Sequence, residues 1–120
     1  MLTFQDLRNA NVARLPEFKS RVGTLAHSKP DGSDWSLADW CTAVTGELGE
    51  AANLLKKVRR GDAVLADLRG QLAAELADVV CYVDILAFQA GVDLGDAVAA
   101  KWNLVSERVG SKLRITNQGD

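Results

Sequence analysis

Glu47 and Glu50, in the run ELGE, and Glu75 and Asp78, in the run ELAD, are the residues of this chain whose types and spacing best suit chemistry. Within each pair the spacing is i, i+3, which on a helix makes the two carboxylates neighbours on one face. Their surroundings in sequence are apolar. At about 100° per residue, Trp40, Ala51, Leu54 and Val58 all project within about 40° of Glu47, in a stripe that also contains Leu37, Val44 and Leu55. Leu68, Val79, Tyr82 and Leu86 stand in the same relation to Glu75, with Asp78 flanking it as Glu50 flanks Glu47. An ordinary surface glutamate would lie opposite such a stripe. A carboxylate withdrawn from water is costly unless it is paired or bound to a cation, and four together repel one another. A hard divalent cation resolves both costs, and oxygen ligands select Mg²⁺ or Mn²⁺.

The elements that must position these acids are helices. No alternating run of β-branched residues and no hairpin turn appears. A first helix is expected over residues 3–14, with Phe4 and Leu7 inward, and a short second piece over 16–26 after Pro16. His27 to Trp35 (HSKPDGSDW) has loop composition. Ser36 with Asp39 forms a capping-box pattern, and Trp35 can staple onto Trp40. The helix it opens runs to Arg60, where Gly61 stops it. Asp62 is placed to cap the next helix, roughly 63–90, closed by Gly91, and Asp93 with Asp96 to cap a fourth, 94–109, closed by Gly110. The tail 111–120 is expected to fray, apart from docking by Leu113 and Ile115. Short connections between long helices predict an all-α fold, an antiparallel bundle of four main helices forming a single domain over 1–120. The two acidic pairs then face each other across a helical hairpin.

Composition narrows the classes. Charged residues make up 25% and apolar residues 48%, with a net charge of −2, so there is no global basic footprint for nucleic acid. No apolar run reaches the length of a membrane span, and MLTFQDLRNA lacks a signal-peptide apolar core, so the expected location is cytoplasmic. Cys41 and Cys81 read as small buried thiols of a reducing compartment.

The pattern E-x-x-E, residues 51–74, then E-x-x-D resembles the MazG-like superfamily of all-α nucleoside triphosphate pyrophosphohydrolases, which also includes dimeric dUTPases and dCTP pyrophosphatases. WCTAVTGELGEAANLLKKVRRGD and ELADVVCYVDILAFQAGVDLGDAVAAKWNLVSERVGSKLR are similar to the compact bacterial and phage members, across roughly residues 35–114. The resemblance implies that Glu47, Glu50, Glu75 and Asp78 bind Mg²⁺ (Mn²⁺ as substitute), which holds a nucleoside triphosphate. Water then attacks in the α–β phosphate region to give a monophosphate and pyrophosphate. It also implies phosphate or sugar contacts from Lys101 and Asn103 in KWN, and a homodimer or homotetramer in which subunits complete one another's pockets. Phe88, Val92, Val98 and Leu104 are candidate contributors to that interface.

Other candidates combine the resemblance with the positions of the residues themselves. Glu50, at the edge of the apolar arc, is the choice for orienting the attacking water. Asn53 and Lys57 follow ELGE as in the compact members, and Lys57 belongs equally to the solvated cluster Lys56, Lys57, Arg59, Arg60. Arg108 and Lys112 are further cations. Tyr82 and Trp40, each seven residues from an acid, could stack on a base, with core packing the competing role, favoured for Trp40. Trp35, Trp102 and His27 are weaker candidates. A ferritin-like di-iron protein would need Glu-x-x-His motifs, and no histidine follows the acids. A non-catalytic bundle that binds nucleotide or a partner is the alternative to the enzyme.

Overall fold

Thr3 begins the first helix by accepting a hydrogen bond from the Asp6 N–H, while the Asp6 carboxylate accepts from the Thr3 N–H, closing a capping box. The structure, a computed structural model, describes residues 1–18 and 31–116. Among these it is all-helical, with no strand. α1 covers Phe4–Arg14 and runs into a short 3₁₀ turn, Leu15–Glu17, with Pro16 in its first turn. α2 covers Leu37–Arg60, α3 Leu65–Gln89 and α4 Leu94–Arg108. The expected short helix over 16–26 reduces to that 3₁₀ turn as far as residue 18, and its remainder lies outside the described residues, as do His27 and residues 117–120.

Most of the punctuation falls where the residues placed it. Ser36 and Asp39 cap α2 reciprocally, at 3.1 and 2.9 Å. Trp35 lies against Trp40 with ring centroids 4.7 Å apart, completing the staple. Gly61 takes the left-handed conformation that ends α2 (φ 81°), and Asp93 accepts from the Asp96 N–H to start α4. Asp62 does not cap α3. Its N–H bonds the Lys57 carbonyl, so its backbone is committed to closing α2, and its side chain pairs with Arg60 at 3.1 Å. Two further residues reverse the chain, and Val64 precedes α3 with no side-chain cap. Cys41 is not buried but exposed, and Cys81 is half-buried. Cys41 follows Trp40 and so lies about 100° round the helix from the residue that anchors the stripe.

α2 and α3 pack along each other as an antiparallel hairpin, and α1 and α4 cover one end of it. The core lies at that end, where Leu15, Trp40 and Ile85 are buried with Phe18, Trp35, Tyr82, Leu86 and Phe88 against them. Trp40, 1% exposed, donates its indole N–H to the Gly32 carbonyl. A buried polar tie holds α1 on α3. Asp84, itself 1% exposed, accepts from Arg8 Nε at 3.1 Å and Asn11 Nδ2 at 3.0 Å, and Asn11 also donates to the Cys81 carbonyl. Arg8 further donates to the Val92 carbonyl. The pairing is needed because an unpartnered charge there would be strongly unfavourable.

Among the described residues, no further element covers the rest of the hairpin. Phe4, Leu37 and Leu55, expected to face inward, are exposed, together with Leu48, Leu65, Leu76 and Val80. The Cα radius of gyration is 17.2 Å, against about 13.6 Å expected for a compact chain of this length. No helix among the described residues is long and apolar enough to cross a membrane.

Candidate functional site: an acidic cluster beside an aromatic cleft

Because α2 and α3 are antiparallel and packed through their stripes, the two i, i+3 pairs return to the same level. One carboxylate oxygen from each of Glu47, Glu75 and Asp78 lies within 4.8 Å of the others. Glu47 and Glu75 are half-buried and Asp78 is exposed. Glu50 is exposed and joins the group through Glu75. Its pKa is raised, first by hydrogen bonding with the Glu75 carboxylate beside it, then by the Glu75 charge, by desolvation and by the Asp78 charge. Three of the four predicted acids are therefore gathered at one place, with Glu50 near enough to Glu75 and Asp78 to feel their charges.

The donor set fits a hard divalent cation. It is all oxygen and acidic. Among the described residues, no lysine or arginine comes within ion-pairing distance of any of the four; the two ion pairs present are Arg8–Asp84 and Arg60–Asp62. Oε2 of Glu75 is buried and has no hydrogen-bond partner, which is unfavourable for a carboxylate oxygen unless a cation or proton meets it. Oxygens on opposite sides of Mg²⁺ stand about 4.2 Å apart, at about 2.1 Å from the ion. Adjacent ligands stand about 3.0 Å apart, so oxygens spread over as much as 4.8 Å must draw inward at their flexible side-chain tips to share one ion.

A cleft of about 140 Å³ adjoins the cluster, lined by Glu47, Asp78, Cys81, Tyr82 and Ile85 from the hairpin and by Arg14 and Phe18 from the α1 side. Tyr82 resists ionisation. Burial raises its pKa, Glu47 and Asp78 raise it further, Arg14 acts in the opposite direction, and Cys81 adds a smaller rise. The Arg14 guanidinium stands 5.6 Å over the Phe18 ring. Neither Arg14 nor Phe18 was among the residues singled out from sequence, since no motif marks them.

The remaining candidates fall elsewhere. Trp40 is in the core, 6.5 Å from Tyr82 between ring centroids, so it backs the cleft wall and offers no face to a ligand. Asn53 and Lys57 are exposed on α2. Lys101 and Trp102 line an open apolar groove of about 690 Å³ with Val98, Val105 and Leu113, separate from the acidic cleft. Asn103 has both ends of its amide engaged by Ile115, accepting from its N–H at 2.7 Å and donating to its carbonyl at 2.8 Å. This is the docking expected of Ile115, and it gives Asn103 a structural task. Arg108 and Lys112 are exposed and Trp35 packs on the core.

The chain matches no protein-family model, and comparisons with curated proteins and with solved structures likewise give no match.

Proposed function

We propose that this protein is a Mg²⁺-dependent nucleoside triphosphate pyrophosphohydrolase, converting a (d)NTP and water to the (d)NMP and pyrophosphate, in nucleotide-pool sanitation or dNTP control. The observation that carries the reading is the convergence of Glu47, Glu75 and Asp78 within 4.8 Å, with Glu50 at the edge and a buried, unpartnered oxygen on Glu75. The E-x-x-E and E-x-x-D resemblance supplies the reaction. Glu47, Glu75 and Asp78, with Glu50, would hold the ion. Mg²⁺, when bound, neutralises charge on non-bridging phosphate oxygens and orients the triphosphate. Tyr82 walls the adjoining cleft and presents an aromatic surface on which a base can stack. Glu50, exposed at the edge of the cluster, would orient the attacking water and, in its carboxylate form, accept its proton.

The exposed apolar residues Leu48, Leu55, Leu65, Leu76 and Val80 along the open hairpin support a homodimer or homotetramer. The same surface favours the second reading, a non-catalytic bundle that binds nucleotide or a partner. One assay separates them. A panel of canonical and damaged (d)NTPs with Mg²⁺ is expected to yield pyrophosphate and a monophosphate. Orthophosphate alone contradicts the proposed bond cleavage, and no turnover on any member, with the protein folded, removes the enzyme. Light scattering on the intact protein reads the assembly, for which a monomer would be the contrary result.

A further inference from the structure

The contacts between α1 and α3 define a register. Arg8 meets Asp84, and Asn11 meets the Cys81 carbonyl. The two helices thus run in opposite directions, three residues on one answering three on the other. Continuing by one turn places Arg14 level with Asp78, and Arg14 does line the cleft with Asp78, Glu47 and Tyr82. Arg14 is exposed and ends α1. Its guanidinium lies over the Phe18 ring, and among the described residues no carboxylate lies within 4.0 Å of it, although Glu47 and Asp78 line the same cleft. A guanidinium that rests only on an aromatic face therefore shares the cleft with two of the clustered acids, and among the described residues it has no ion-pair partner. Lys57 and Lys101 do not line this cleft.

We infer that Arg14 is the phosphate-binding cation of this site: it takes the outer oxygens of a polyphosphate whose inner oxygens meet the ion held by Glu47, Glu75 and Asp78. The inference rests on the proposed reading of those acids as a metal site. The chemistry matches because a guanidinium offers a planar fork of N–H donors to phosphate oxygens and stays charged at every working pH. A bridging anion also resolves the electrostatics of both walls, being attracted to the ion on one side and to Arg14 on the other. Arg8, Asn11 and Asp84 act as positioning residues, since their buried tie fixes where along α3 the end of α1 falls.

Titration calorimetry of inorganic tripolyphosphate into wild type, Arg14→Ala and Arg14→Lys, all with Mg²⁺, tests the assignment, with Mn²⁺ alone as a second titrant. Arg14→Ala is expected to weaken tripolyphosphate binding by about 10- to 100-fold, the range for losing a charge-assisted contact. Arg14→Lys should recover part of that loss, and Mn²⁺ affinity should stay within about twofold of wild type, because the ion's ligands are untouched. Equal tripolyphosphate affinity in wild type and Arg14→Ala overturns the inference. So does the absence of tripolyphosphate binding to wild type, or a parallel loss of Mn²⁺ binding in Arg14→Ala, which would make the residue structural. Nucleotide turnover is read separately. Arg14-dependent tripolyphosphate binding without hydrolysis of any nucleoside triphosphate would sink the enzyme and leave Arg14 assigned.

Discussion

Glu75→Gln isolates the electrostatic cost of the acidic cluster from its use. Glu75 places a carboxylate oxygen within 4.8 Å of those of two other acids, Glu47 and Asp78. Since Asp78 is exposed and the other two only half-buried, water's dielectric constant is the appropriate lower bound, and each repulsion is then about 0.9 kcal/mol. Removing the Glu75 charge relieves both, and screening over a Debye length of about 10 Å at 0.1 M salt leaves roughly 1 kcal/mol. The glutamine amide can also donate an N–H to the neighbouring Glu50 carboxylate. The metal-free variant should therefore melt about 3–6 °C above wild type. Magnesium reverses the order. At ten times its dissociation constant the ion stabilises wild type by about 1.4 kcal/mol, and a variant lacking a central ligand forgoes most of this. Thermal unfolding by circular dichroism, in chelator and in excess Mg²⁺, should show the two proteins exchanging rank. A metal-free Glu75→Gln less stable than wild type would mean that the carboxylates do not strain the hairpin. A variant that keeps the full Mg²⁺ shift would mean that Glu75 is not a ligand.

The raised pKa of Glu50 sets a pH dependence. The folded state holds that proton more tightly than the unfolded chain, so metal-free stability should fall as pH rises from the ordinary glutamate range through the raised folded value, and Mg²⁺ should abolish the slope; a flat or rising metal-free profile, measured by denaturant midpoint, refutes it. Tyr82 is the chain's single tyrosine, so its phenol can be titrated directly by ultraviolet absorbance. Glu47→Gln should lower the midpoint without restoring that of free tyrosine, because burial is the larger cause; no change would place Glu47 too far away to matter. Asp84→Ala strands Arg8 and Asn11 and should cost about 3–5 kcal/mol in urea unfolding; a loss under 1 kcal/mol would show that the tie is not what fixes α1. Gly32→Ala should destabilise by about 2 kcal/mol or more, since φ is +74° and an added Cβ would fall 2.6 Å from the Trp40 ring, whereas Gly49→Ala, with open space around it in α2, should gain about 0.5–1 kcal/mol. Equal effects from the two would refute that account.

How far the sequence carries depends on whether the information is local. Ser36 with Asp39, Gly61, and Asp93 with Asp96 each satisfy or release backbone groups within a few residues, and helix ends follow from such patterns directly. Asp62 misleads because one residue can serve either of two adjacent helices, and the terminal turn of α2 takes its N–H before α3 can use its side chain. Phe4, Leu37 and Leu55 show a different limit. An apolar residue on the right side of a helical wheel is buried only where another element arrives to cover it, and here α1 and α4 cover one end of the hairpin alone.

The acidic cluster was legible because it needs only two local spacings and one reversal of direction. An antiparallel pair of helices that meets through stripes carrying Glu47 and Glu75 brings those acids to one level when the reversal is short, and here it takes only residues 61–64. The cation facing them required more. Lys57 and Lys101 stood close to the acids or to a familiar motif in sequence, but proximity along the chain does not decide which residue faces the cleft. Arg14 reaches it through a register set by Arg8, Asn11 and a buried aspartate seventy residues or more away, and nothing in the local pattern of α1 announces that partner. The same reasoning accounts for Asn103, whose amide looked available until the backbone of Ile115 claimed both its ends. In this fold the groups that gather negative charge are encoded by spacing within helices, while the group opposite them is encoded by the packing of one helix on another.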